Sequence, residues 1–277
     1  MQHQQYQLHA DVECRHWWFV ARRRIMHALV RELIPPFPET MILDVGCGTG
    51  GNIGALTRDY RCLGIDTSDQ AIVLARQSHP EVQFFCGVPE EQLQEVLPKV
   101  RLVMLMDVLE HVADDFELLS KLFAHTAPGT HFLMTVPANM ELWSAHDESF
   151  GHYRRYDMQR FRRLWQTLPT EELLCSHFNS HLFPLIRQLR RRNRRRGRTS
   201  GDHGTDLSVP PGPLNKILET IFASERKRLV AMLKDNTVKS YPAGVSLVTI
   251  LRRTETAEGV SVITKPVDVA ADFYQPR

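Results

Sequence analysis

Leu43-Asp44-Val45-Gly46-Cys47-Gly48-Thr49-Gly50 decides the reading of the fold: a short apolar strand ends on an acid and runs straight into a glycine-rich turn. Glycines there let the backbone turn sharply and let a ligand lie against main-chain atoms that a Cβ would shield. The pattern nominates a nucleotide-like cofactor site, with a helix starting near Asn52.

Gly46 to Gly51 also satisfies the dinucleotide spacing GxGxxG, with Asp66 placed as a ribose-binding acid would be. Asp44 breaks the tie. At the mouth of the turn it would repel a pyrophosphate but attract an ammonium or a sulfonium, and S-adenosylmethionine carries both cations. The phrase LDVGCGTG resembles the first motif of class I S-adenosylmethionine-dependent methyltransferases. That resemblance implies S-adenosylmethionine as cofactor, held around Asp44, Gly46, Cys47, Gly48 and Gly50.

Later segments follow in the family's order. Arg61-Cys62-Leu63-Gly64-Ile65-Asp66-Thr67-Ser68 reads as the second strand. In the family, the acid at the position of Asp66 bonds both ribose hydroxyls; a carboxylate can accept from two neighbouring hydroxyls at once. Thr67 stands beside it. Gln83-Phe84-Phe85-Cys86-Gly87 is the third strand, and Val88 follows where many relatives place an acid for the adenine amino group. Either Glu90 or Glu91 substitutes, or main-chain groups and apolar packing hold the adenine. Residues 102–106 form a fourth strand ending in Asp107-Val108-Leu109-Glu110-His111, which resembles the family's DVLEH and puts Asp107 beside the cofactor. Residues 126–130 resemble its PGG turn, with Thr130 replacing the second glycine, and His131 to Pro137 is the fifth strand.

The chain of 277 residues fits one large α/β domain with a cap. Its net charge of +2 does not by itself suggest a nucleic-acid partner. Five cysteines without a framework spacing, and a start lacking a basic region and an apolar core, read as reduced thiols in a cytoplasmic protein. No apolar run reaches membrane-span length, so membrane contact would be peripheral, at the inner face.

Strand and helix patterns alternate from residue 40 to 138, as expected of a parallel sheet with helices on both faces. The resemblance completes this as a Rossmann-like α/β fold: a seven-stranded, mostly parallel sheet, with a sixth strand at 171–177 and a seventh at 245–251. Residues 1–39 read as an N-terminal cap helix spanning 11–34, residues 40–178 as the cofactor-binding core and 179–244 as a helical insertion. Residues 245–254 hold the final strand and 255–277 a tail. The insertion carries helices at 181–196 and 214–233, with a polar, glycine-rich stretch at 197–208 read as mobile.

Methyl transfer from a sulfonium is a direct displacement, so a base is needed only where the nucleophile must lose a proton. In the methyltransferase topology the loop at 143–156 lies over the transferred methyl. Its His152, His146 and Tyr153 are the candidates for acceptor alignment or proton removal. His111 belongs to the DVLEH motif and reads first as structural. A metal reading stands beside this one: Asp107, Glu110, His111 and His152 resemble in outline the ExxEH-plus-histidine set of small-RNA 2′-O-methyltransferases and, more weakly, that of ubiquinone-biosynthesis O-methyltransferases. A divalent cation there would lower the pKa of an acceptor hydroxyl.

Eight arginines from residue 187 to 198, Arg187, Arg190, Arg191, Arg192, Arg194, Arg195, Arg196 and Arg198, continue the apolar segment His181-Leu182-Phe183-Pro184-Leu185-Ile186. The run reads as a solvated face or as an interfacial segment on an anionic membrane. Nucleic acid is less favoured, because no aromatics interleave the arginines. HWWFVARRR, GHYRRY and PPGPLN together resemble one bacterial methyltransferase subgroup often found beside polyprenyl-lipid enzymes, which implies a saccharide or lipid-linked acceptor. The reading is O-methylation of a small-molecule, saccharide or lipid-linked acceptor. Its rivals are metal-assisted RNA 2′-O-methylation and a non-catalytic S-adenosylmethionine-binding regulator. The oligomeric state stays open.

Overall fold

Ile42 and Leu43 are consecutive and both fully buried, yet they belong to different apolar clusters on opposite faces of one sheet. The same division separates Leu102 and Met104 from Val103 and Leu105. Successive strand side chains point to opposite faces, so a strand covered on both sides must be apolar throughout. The computed structural model describes residues 10–196, 208–255 and Lys265. Its strands are β1 (Met41–Val45), β2 (Arg61–Asp66), β3 (Gln83–Cys86), β4 (Leu102–Met106), β5 (His131–Pro137), β6 (Thr170–Phe178) and β7 (Ser246–Arg253). They form one sheet in the order β3-β2-β1-β4-β5-β7-β6. Strands β1 to β5 pair in parallel, and β7 runs antiparallel between β5 and β6. The order reverses between β1 and β4, where open α/β sheets bind ligands beyond their strand ends.

One face is covered by α1 (Trp17–Leu33), α3 (Asp69–Ser78), α9 (Gly212–Ser224) and α10 (Arg226–Lys234), and the other by α5 (Asp115–His125) and α7 (Met158–Arg163). Between these lie the short helices α2 (Gly51–Gly54), α4 (Pro89–Gln92) and α6 (Ala145–Ser149), and the insertion opens with α8 (Phe183–Arg196). Helix α1 is shorter than the 11–34 expected, because His16 ends the preceding turn and caps it by accepting from Trp18 N. Burial lowers the His16 pKa to about 4, which keeps the ring neutral and able to accept. The fully buried Ile25 and Leu29 place α1 in the core layer on the sheet.

The helix expected at 214–233 is two. At the junction Glu225 is fully buried, and its Oε1 accepts from the N–H groups of Ser180 at 2.7 Å and His181 at 2.8 Å, tying the insertion to the end of β6. All but Ser208 of the 197–208 stretch expected to be mobile, and most of the tail, lie outside the described residues. No helix among the described residues is long and apolar enough to cross a membrane.

Candidate functional site

The glycine loop turns on three left-handed residues, Gly46, Gly48 and Gly50, with φ of 69°, 53° and 85°. At Gly46 the need is twofold, since a Cβ would also lie 2.7 Å from Val108. A Cβ at Gly48 would meet nothing within 4 Å, so this turn faces open space, and its N–H donates to Asp66 Oδ2 at 2.9 Å. Asp66 Oδ1 accepts from Ser68 N at 2.9 Å. Each oxygen keeps a further lone pair for a diol. Cys47 is buried, and burial pushes its thiol pKa well up, so it packs as a small apolar group.

Asp44 at the end of β1 is buried, and neither carboxylate oxygen has a hydrogen-bond partner. Desolvation raises its pKa to about 7, against a lowering by Arg22. A buried carboxyl in this state is matched to an incoming cation, which would supply what it lacks. Arg22 of α1 reaches across to pair with Asp107, bonds Asn52 Oδ1 at 3.4 Å and stacks 4.5 Å over the Trp18 ring. Asp107 holds a left-handed backbone, φ 59°, and accepts from Thr135 Oγ1 at 3.0 Å.

At the expected adenine side, Thr67 is exposed, while Gly87 and Val88 are half-buried at the end of β3. Gly87 N donates to Asp66 O at 3.0 Å, which ties this corner to the ribose acid. Glu90 pairs with Lys121 of α5 at 3.3 Å and Glu91 is exposed. Glu90 is therefore engaged elsewhere.

The opposite wall is made of side chains. His152 Nδ1 lies 3.0 Å from Asp147 Oδ1. Asp147 is fully buried and clamped by Arg155, Nε to Oδ1 at 2.7 Å and Nη2 to Oδ2 at 3.1 Å. Burial alone would raise the Asp147 pKa, but Arg155, His152 and Arg190 together hold it well below the carboxylate range. An ionised partner makes Nδ1 the protonated nitrogen of neutral His152 and leaves Nε2 basic. His111 stands with its ring edge-on to His152, centroids 4.6 Å apart. Beside them Glu110 is fully buried with both oxygens unpartnered, and burial followed by the charge of Asp107 raises its pKa well above normal.

The glycine loop and this wall border a cavity of about 460 Å³. Gly46, Cys47, Gly48, Asp107, Glu110, His111, His146 and His152 all line it. Of the other expected site residues, Asp44, Gly50, Asp66, Thr67, Gly87 and Val88 lie outside this lining. Tyr153 does not line the cavity: it is 39% exposed, and its backbone N–H donates to Glu110 O at 2.8 Å. Asp107 is not in the tight group that could hold a metal among the described residues, which is Glu110, His111 and His152, with candidate ligand atoms within 4.8 Å of one another; Arg22 and Thr135 engage Asp107 instead. His146 is half-buried against Phe150, ring centroids 4.6 Å apart, and burial and then Arg190 lower its pKa well below normal.

A family model described as a methyltransferase domain matches residues 17–192. The chain belongs to that methyltransferase family. It is 32% identical over 116 residues to trans-aconitate 2-methyltransferase of Deinococcus radiodurans, covering 40% of this chain and 43% of that protein. It is 25% identical over 152 residues to ubiquinone biosynthesis O-methyltransferase of Rhodopseudomonas palustris, covering 53% and 59%. The chain thus spans about half the length of the curated relatives it matches. Among solved structures, the plantazolicin methyltransferase BpumL, in complex with a monoazolic desmethylPZN analog and SAH, has a TM-score of 0.54 at 12% identity, covering 91% of this chain and 90% of that one. The methyltransferase bound to the Trm112 activator of Haloferax volcanii has a TM-score of 0.54 at 17% identity, covering 89% and 92%. At such identities the likeness shows the fold.

Sequence reasoning missed Arg22, Glu13 and Asn179, all of which line the cavity. Trp18, Arg22, Ile25 and Leu29 share one helical face, so an arginine on the apolar stripe was a readable signal. Glu13 packs on the loop, where a Cβ on Gly51 would lie 2.4 Å from its Oε2, and it accepts from Thr49 Oγ1 at 3.0 Å. The arginine run is also less free than its composition implies. Arg187 and Arg191 pair with Glu141, and Arg190 donates to Leu142 O at 2.6 Å, so α8 is fastened to the loop that carries the histidines.

Proposed function

We propose that the chain is an S-adenosylmethionine-dependent methyltransferase that methylates a hydroxyl oxygen of a small-molecule, saccharide or lipid-linked acceptor. The single observation that carries this reading is His152, held by the buried, ionised Asp147 in the tautomer that leaves Nε2 basic beside the glycine loop's cavity. The acceptor oxygen attacks the methyl carbon, the carbon–sulfur bond breaks to leave a neutral thioether, and the hydroxyl proton passes to His152. Asp44 would face the cofactor's ammonium, Asp66 its ribose, and Gly87 and Val88 its adenine.

An apolar wall supports an amphiphilic acceptor. It grades outward from buried Leu182 to Leu185, Leu189 and Leu214, each close to half exposed, and all four line the cavity. Next to this mouth Arg191 and Arg192 are exposed on α8, a combination suited to docking on an anionic lipid surface.

Glu110, His111 and His152 support a second reading. One carboxylate and two imidazoles suit a divalent transition metal, and a bound cation would give the orphaned Glu110 a partner. When bound, such an ion would lower the pKa of the acceptor hydroxyl.

The deciding experiment incubates the protein with labelled S-adenosylmethionine and separated lipid, saccharide, RNA and protein fractions. Label in lipid or saccharide is expected; label in RNA supports the metal-assisted RNA reading, and label nowhere overturns catalysis in favour of a binding role. Chelator-insensitive turnover supports His152 as the base, whereas loss restored by a divalent ion supports the metal.

A further inference from the structure

Asn179 is fully buried, lines the cavity, and has a carboxamide whose nitrogen and oxygen both lack a hydrogen-bond partner. Leaving a donor and an acceptor unmatched is costly in a folded protein. Its backbone is left-handed, φ 53°, which asparagine tolerates better than other non-glycine residues. The turn is fixed from outside. Glu225, wholly buried at the α9–α10 junction, takes the N–H groups of the next two residues, Ser180 and His181.

Its place in the sheet gives this cost a purpose. Strand β6 is parallel to β1–β5, so Asn179 follows β6 at the same edge as the glycine loop. Pro137 of β5 pairs with Ser246, and Ser246 with Phe178, so Asn179 lies one residue beyond a row whose first two members also line the cavity. Two strand spacings put Phe178 about 10 Å from Pro137, the breadth of one small head group.

We propose that Asn179 reads the acceptor, its carboxamide binding a neutral hydroxyl that neighbours the one methylated. The chemistry follows from the unmatched pair. A hydroxyl both donates and accepts, whereas a carboxylate only accepts and an ammonium only donates. The acceptor class is then an uncharged polyol or sugar-like head on an apolar body that follows Leu182, Leu185 and Leu189. This deepens the methyltransferase reading and rests on it.

The test titrates the whole protein, saturated with S-adenosylhomocysteine, with three probes that share an eight-carbon chain, below their micellar concentrations: octyl β-D-glucoside, octanoate and octylamine. The glucoside should bind at least about tenfold more tightly than the other two, a ratio typical of one satisfied hydrogen-bonding group. Asn179→Gly keeps the left-handed turn unstrained and should erase that preference while S-adenosylhomocysteine affinity and melting temperature hold. Asn179→Asp, equal in shape but accepting only, should shift the preference toward octylamine. Wild type that ignores the glucoside overturns the proposal, as does an Asn179→Gly variant with the same preference. A failed label transfer would instead remove the methyltransferase reading, and these titrations would not register it.

Discussion

The two halves of the cavity meet at the same strand ends but are made of different material. The side proposed for the cofactor is built on the turn Gly46 to Gly50, with Asp44 in β1 before it and Asp66 closing β2. The facing wall is made of side chains, among which His152 and Asp147 are oriented by other side chains. A backbone-built half is intolerant of a single Cβ but indifferent to most neighbours. A side-chain-built half can be retuned one pair at a time, which fits one fold serving many acceptors.

The comparison breaks if damage to one half spreads to the other. The largest effect is expected at His152. His152→Gln should lower kcat by about 10²–10⁴, the range for losing a general base, and Asp147→Asn should produce a fall of the same order by releasing the tautomer. S-adenosylhomocysteine affinity, measured by calorimetry, should stay within about twofold in both variants if they retain the wild-type melting temperature. Next comes Asp66→Ala, which should weaken that affinity by about 1.5–3 kcal/mol, the value of a hydrogen bond to a charged group, while kcat at saturating cofactor changes little.

A smaller effect sharpens the cofactor side through pH. Asp44 has its pKa raised to about 7, so the free protein holds a proton that the unfolded chain releases at lower pH. Folding stability from this group is therefore lost as pH rises from about 4 through 7. An ammonium beside Asp44 reverses the preference. Binding of S-adenosylhomocysteine should release a proton below pH 7, and its affinity should rise by up to about tenfold per pH unit before levelling above 7. Calorimetry in buffers of different ionisation enthalpy reads both, and Asp44→Asn should flatten them. The smallest effect is at the mouth: Arg192→Gln should cost about 1 kcal/mol in sedimentation with anionic vesicles at low salt, leaving turnover on a soluble acceptor unchanged.

This contrast also explains what was legible in the sequence. The succession of the seven strands and the glycine turn after β1 could be read because consecutive residues with backbone duties leave a spelling in the chain. His152 could be named as a candidate, but its partnership with Asp147 and Arg155 depends on how residues 144–155 fold back on themselves. Tyr153 was misplaced for the same reason: adjacency to His152 does not set which side of the loop a ring leaves from. Asn179 left no local signal, since an asparagine after a strand ordinarily means only a turn.

The position of β7 has a consequence for how this chain is made. Between the end of β5 at Pro137 and the end of β7 at Arg253 the ribosome must deliver roughly 116 residues, about 6 to 23 seconds of synthesis at 5–20 residues per second. Throughout that interval β5 presents a bare edge, because the strand that will lie between it and β6 is the last to emerge. An open row of unpaired backbone groups is a template for pairing with another nascent chain. The long insertion that lines one side of the cavity thus also sets the length of a vulnerable period, and slower translation across residues 179–245 should increase the dependence of the yield on chaperones.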